Sequence, residues 1–197
     1  MVQPHIWGPF LWEMLFVCTW NCPERKFSSL ERLIHLTASL LPCTKCRDHF
    51  QSKRGKVNRR AKGAPSSPKE MLYWLYCMKD EVNNVQKRRS IPFTDFSERL
   101  CMFGSAFDEV RLGDTLVLVA LYSKHKLASE SDMADLCHLL SDMLPLADDS
   151  ELRTHLDSVQ PTSLVSDVTR AARAARIEKG LKTFGIAHYK VFADLEH

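Results

Sequence analysis

Apolar residues recur at three- and four-residue intervals along most of the chain and almost nowhere alternate with polar ones. Ile6, Trp7, Phe10, Leu11, Met14, Leu15 and Cys18 keep that spacing, which predicts an amphipathic helix over 6–20 with an aromatic-rich stripe, ending near Pro23. A second helix opens on a capping-box pair, Ser28 and Glu31, carries Leu30, Leu33, Ile34, Thr37 and Leu41 on one face, and closes at Pro42. The stretch from Ser52 to Pro68 packs six basic residues between Lys53 and Lys62 and then turns to Gly, Pro and Ser, which reads as an exposed loop. Ser67, Pro68 and Glu70 supply an N-cap, a first-turn proline and a capping-box acid for a long helix to about Arg88, with Met71, Leu75, Met78, Val82 and Val85 inward. A shorter helix follows from Thr94 or Asp95 through Leu100, and residues 114–126, 131–144, 149–159 and 164–179 continue in the same style, with Gly180 as a stop. No segment of residues 1–100 has the alternation of a strand, so the expected fold is all-α, with one helical unit over 1–103 and a second over 104–197.

The two units share a pattern. "ERLIHLTASLLP" at 31–42 and "ADLCHLLSDMLP" at 134–145 match in Leu, His, Leu, Leu and Pro, and Val82, Lys87, Ile91 and Leu100 have counterparts Ile177, Lys182, Ile186 and Leu195 at an offset of 95. A diverged copy of the first bundle accounts for this, and chance matching of leucine-rich helices is the alternative. The copy reads "LADDSE" after Pro145, so it carries no CxxC.

Composition adds little to that outline. With 45% hydrophobic and 26% charged residues the 197-residue chain is ordinary for a soluble protein, and a net charge of +3 does not by itself argue for nucleic acid. No apolar run reaches membrane-spanning length, and the amino terminus lacks the basic and apolar regions of a secretory leader, so an intracellular location without a membrane is expected. In that setting structural disulfides are uncommon, and the seven cysteines cannot all pair within one chain.

The chemistry concentrates at "LPCTKCRDHF", residues 41–50. Zinc needs four ligands, and although His49 follows Cys46 by three residues, no second Cys or His pair completes a set. A thioredoxin-like motif sits after a strand, whereas the residues before Cys43 are helical. Pro42 breaks one helix and a new one begins near Cys43, so unpaired backbone N–H groups, with Lys45 and Arg47, favour thiolate and hence dithiol exchange. Two inert core cysteines remain the plain alternative.

"WGPFLWEML" at 7–15, "LLPCTKCRDHF" at 40–50 and "DEVNNVQKR" at 80–88 resemble, in order and separation, three motifs of the Erv/ALR family of FAD-dependent sulfhydryl oxidases, above all the forms encoded by large DNA viruses. The resemblance covers residues 6–100 and implies a four-helix bundle with a short fifth helix holding FAD beside the CxxC. It implies that Cys46 faces the flavin and Cys43 exchanges with protein dithiol substrates, with electrons passing to molecular oxygen and peroxide as product. Trp12, Asn83, Lys87, Arg88 and Phe93 fall where the family contacts the cofactor. Phe16, Cys22, Lys79 and Asp80 stand where it has histidine, tyrosine and a His-Asn pair, departures that bear on FAD affinity; Phe16 would stack on a ring and Lys79 would meet a phosphate or ribose oxygen. The family further implies a homodimer and, for viral forms, the host cytoplasm or virion as location.

Three other readings complete the expectation. Cys18 and Cys22, one turn apart, are poorly placed to bridge and read as buried, as do Cys77, Cys101 and Cys137, which leaves no shuttle pair. The basic run 53–62 lacks interleaved aromatics and reads as solvated rather than as a nucleic-acid site, Trp7 and Trp74 read as core, and "RAARAAR" at 170–176 as a helix with a basic stripe. Competing with the oxidase are a scaffold that keeps the bundle without FAD and a zinc-binding interaction module.

Overall fold

A computed structural model describes residues 4–103, 109–122, 129–146, 148 and 150–178, and among them every regular element is helical. Helix α1 (Pro4–Asn21), α2 (Phe27–Ser39), α3 (Thr44–Arg60) and α4 (Pro68–Val85) form the first bundle, with α5 (Phe93–Phe103) against α1. Helix α6 (Glu109–Tyr122), α7 (Glu130–Met143), α8 (Glu151–Asp157) and α9 (Leu164–Glu178) form the second group. None of these helices is long and apolar enough to cross a membrane. Gly180 and the offset-95 counterparts Lys182, Ile186 and Leu195 lie outside the described residues.

The predicted stripes of the first bundle point inward. Met14, Leu30, Leu33, Leu75 and Met78 are fully buried where α1, α2 and α4 meet, each contributing about 1.5–3 kcal/mol relative to exposure. Val85, expected inward, is 61% exposed because α4 ends there. Ser67 caps α4 as expected, its Oγ accepting from the Glu70 amide at 3.3 Å. At α2 the expected capping box does not form: a single 3-10 turn, Glu24–Lys26, runs straight into the helix, and no side chain caps it.

The largest departure from expectation is the basic run, which is helical through Arg60 rather than a loop. Lys and Arg are good helix formers, Phe50 and Val57 bury one face, and α4 supplies Glu81 to Lys56 at 2.8 Å and Asp80 to Arg60. Helices α3 and α4 end alike. Lys62 (φ 65°) and Lys87 (φ 55°) adopt the left-handed conformation, and Gly63 N–H donates to the Asn58 carbonyl at 2.8 Å as Arg88 N–H does to that of Asn83 at 2.9 Å.

Helices α2 and α7, which carry the repeated pattern, lie against each other. Arg32 pairs with Asp135, the residue at its own place in the repeat, and Lys26 pairs with Asp142 at 2.6 Å. In the second group α6 crosses α9 closely: "RAARAAR" turns Ala171, Ala172, Ala174 and Ala175 inward. At Gly113 an added Cβ would sit 2.8 Å from the Ala172 Cα. Gly113→Ala is therefore expected to destabilise the fold by about 1–3 kcal/mol through overpacking, read as a lower urea midpoint with an unchanged slope.

Candidate functional site

Cys43 and Cys46 form a disulfide, Cα to Cα 5.1 Å, at the start of α3. Cys43 is the N-cap: its backbone is extended (φ −153°, ψ 109°), and its Sγ accepts from the Cys46 amide at 3.2 Å. Pro42 ends the preceding segment, so the first free amides of α3 fall on the CxxC itself. Cys43 is 5% exposed, whereas Cys46 is half-buried and opens onto a cavity.

That cavity, about 580 Å³, lies between α1, α2, α3 and α4, within the range of about 300–1,000 Å³ typical of small-molecule sites. Trp7, Leu11, Trp12 and Leu15 form its α1 wall, Thr37, Ala38 and Leu41 the α2 side, and Lys79, Val82, Asn83, Gln86 and Arg88 the α4 side. From α3 come Lys45, Cys46, His49 and Phe50.

Of the residues singled out from sequence, Trp12, Cys46, Lys79, Asn83 and Arg88 line this cavity. The others sit elsewhere. Phe16 is buried behind Trp12, edge-on to Phe96 at 4.6 Å, and Phe93 packs with Tyr73 and Tyr76 at 5.0 and 5.1 Å. Together they form an aromatic layer joining α1, α4 and α5. Cys22 lies at the end of α1, its thiol bonded to the Pro23 carbonyl at 3.4 Å and raised in pKa by burial, with Lys26 opposing. Lys87 serves the left-handed turn after α4, and Asn83 bonds Ser90 Oγ at 2.9 Å across the same turn. Asp80 pairs with Arg60 on α3.

Two lining residues were not foreseen as binding groups. Trp7 Nε1 and His49 Nε2 are buried and have no hydrogen-bond partner among the described residues. A buried unpaired donor or acceptor costs about 1–3 kcal/mol, so both atoms ask for a partner that a ligand in the cavity would supply. Burial, then Lys53, hold the His49 imidazole below its usual range, against Glu81. His49 lies one turn beyond Cys46, a spacing that would have placed it on the cavity face.

Lys79, with Arg88, is one of two cations on the α4 side. Its Nζ lies 5.3 Å from the Phe16 ring centre and 6.0 Å from that of Phe96, and burial lowers its pKa, Glu13 opposing. A group with a depressed ammonium pKa binds fewer protons folded than unfolded between its two pKa values, so stability rises with pH through that window. Lys79→Met is expected to abolish this rise and leave stability at neutral pH equal or higher, measured by urea titration at several pH values.

The remaining five cysteines form no disulfide among the described residues. Cys18, Cys77 and Cys137 are buried as expected, Cys22 is only half-buried and Cys101 is exposed, and all five outside the CxxC are free. Among the described residues no cluster of His, Cys, Asp or Glu is arranged to hold a metal ion. Trp74 is buried with its Nε1 donating to Asn58 at 2.7 Å.

An apolar and aromatic cleft of this size, with two orphaned polar atoms, cations at Lys45, Lys79 and Arg88, and a disulfide sulfur on its wall, fits a flat ring ligand bearing phosphates. Residues 9–101 match the Erv1 / Alr family, a match that implies FAD-linked sulfhydryl oxidase chemistry in general. Neither a curated protein nor a solved structure matches the chain.

Proposed function

We propose that this protein is an FAD-dependent thiol oxidase that forms disulfides in protein substrates through Cys43 and Cys46. The observation that carries this reading is Cys46 lining a flavin-sized cavity at the N-terminus of a helix, inside the segment that matches the Erv1 / Alr family.

The chain's own groups prepare each part of the chemistry. A substrate thiolate opens the disulfide by attacking one sulfur, and a low thiol pKa makes the departing sulfur a better leaving group. The Cys46 N–H points at Cys43 Sγ and, with the α3 dipole, would stabilise a Cys43 thiolate, which departs when the second substrate thiolate resolves the mixed disulfide on Cys43. Cys43 is the sulfur assigned to exchange; being 5% exposed, it is reached through a local opening of the Pro42–Thr44 turn. Cys46, half-buried on the cavity wall, is the sulfur assigned to the cofactor side. FAD, when bound, supplies two-electron acceptance from the dithiol and re-oxidation by molecular oxygen, with hydrogen peroxide as product.

Trp7, Leu11, Trp12 and Leu15 would hold the rings and exclude water, and Lys79, Arg88 and Lys45 would meet the phosphates. The aromatic layer of Phe16, Phe93 and Phe96 fixes α1, α4 and α5 so that these walls keep their spacing. Oxygen uptake and peroxide production with dithiothreitol test the reading: turnover that requires FAD supports it, and none above the buffer rate in FAD-loaded protein contradicts it.

A further inference from the structure

The charge of this chain is unevenly placed. Helix α3 carries Lys45, Arg47, Lys53, Arg54, Lys56, Arg59 and Arg60 against Asp48 alone, while the whole chain has a net charge of only +3. Lys56 and Arg60 are neutralised by Glu81 and Asp80 of α4, and Arg47 is tied to the Leu41 carbonyl and Thr44 Oγ1. Lys53, Arg54 and Arg59 have no ion pair among the described residues.

The shape of the helix matters as much as its charge. Asp48, Ser52, Gly55 and Arg59 recur at helical spacing and are all exposed, so they form the outer ridge of α3. Between Asp48 and Arg59 that ridge is low: Ser52 is short, and a Cβ at Gly55 would meet nothing within 4 Å. Helical spacing sets Lys53 and Arg54, both half-buried, on either side of the buried Phe50–Val57 stripe, while Arg59 stands on the ridge itself. The ridge begins one turn after the Cys43–Cys46 disulfide. With Asp48 the single acid beside its seven cations, α3 as a whole offers an open track of net positive charge leading to the reactive sulfurs.

We propose that α3 is the docking surface for substrate, and that it selects polypeptides whose dithiol is flanked by acidic residues. The inference rests on Cys43–Cys46 being the exchange disulfide. Two observations favour an acidic polypeptide over nucleic acid: the only Phe, Tyr or Trp on α3, Phe50, is buried and His49 faces the cavity, so neither offers a base a stacking surface, and the track ends at a disulfide, whose chemistry is with thiols. In the exchange, one substrate thiolate displaces one sulfur of the pair and forms a mixed disulfide; the second substrate thiolate then displaces the other. The substrate leaves as a disulfide, and its two electrons stay on Cys43 and Cys46 as a dithiol, so no further oxidant is needed for a single turnover.

The test uses the oxidised full-length protein under anaerobic conditions, mixed with synthetic Cys-x-x-Cys peptides flanked by either four Glu or four Lys. Peptide disulfide formation is followed by acid quench, alkylation and mass measurement, with dithiothreitol as uncharged control. At low salt the acidic peptide is expected to react about 10- to 100-fold faster, and 0.5 M salt should remove most of the difference. The variant Lys53→Glu/Arg54→Glu/Arg59→Glu should lose or invert the preference while keeping its rate with dithiothreitol. Equal rates for the two peptides, or a preference that survives the triple variant, overturn the proposal alone. An oligonucleotide that binds α3 and leaves the acidic peptide without advantage overturns it in favour of a nucleic-acid surface. Failure of dithiothreitol itself to reduce the pair removes the exchange reading together with this one.

Discussion

Cys46→Ser is expected to lower dithiol-dependent oxygen uptake by about three orders of magnitude or more while the helical circular dichroism stays unchanged. Residue 46 is the sulfur on the cavity wall, and Cys43 beside it is 5% exposed. A serine hydroxyl keeps the size and the place in the first turn of α3 but cannot form the disulfide. Stability should fall by no more than the bridge itself contributes, leaving the fold intact. The bridge closes so short a loop that its chain-entropy contribution is about 2 kcal/mol, and the buried leucines and methionines of α1, α2 and α4 are untouched. A Cys46→Ser protein that kept wild-type turnover with FAD would remove the CxxC from the reaction.

Ala38→Phe is expected to weaken FAD binding at least about ten-fold without unfolding the protein. Ala38 is 3% exposed, and its small side chain is part of the α2 wall of the cavity. A phenyl ring there has the cavity itself to grow into, so the cost falls on the ligand's space rather than on the core. The contrast with Gly113→Ala is direct, because there the added carbon meets backbone and no cavity. Fluorescence titration with FAD, beside a urea melt of the same variant, separates the two effects. Unaltered FAD affinity in a folded Ala38→Phe protein would mean that the flavin sits elsewhere.

The helices and the reactive pair were legible in the chain because each rests on local rules. Leu30, Leu33, Ile34 and Thr37 repeat at helical spacing and are buried; Ser67 and Pro68 open α4 as cap and first-turn residue. Pro42 before Cys43 announces a helix boundary, and the N-cap geometry of Cys43 follows from it. The basic run departs from expectation because its composition suggests a solvated loop, whereas the partners that hold it in a helix, Glu81 and Asp80, lie twenty or more positions away on another element. The cavity was the least legible part. Thr37 and Leu41 read as core from spacing alone, and only the relative placement of α1 to α4 leaves a space beside them and Ala38. Spacing likewise fails to tell Trp12, on the cavity wall, from Phe16, one turn on and buried behind it. The repeat at 31–42 and 134–145 was visible as matching letters; that α2 and α7 lie against each other, with Arg32 on Asp135, was not.

The most direct measurement is the visible absorbance of the full-length protein after incubation with FAD and removal of free cofactor by gel filtration, followed by anaerobic addition of dithiothreitol. The account predicts a protein that elutes yellow, with a flavin band that bleaches on addition of the dithiol and returns on admission of air. A protein that elutes colourless, or whose flavin band is indifferent to dithiol, contradicts it.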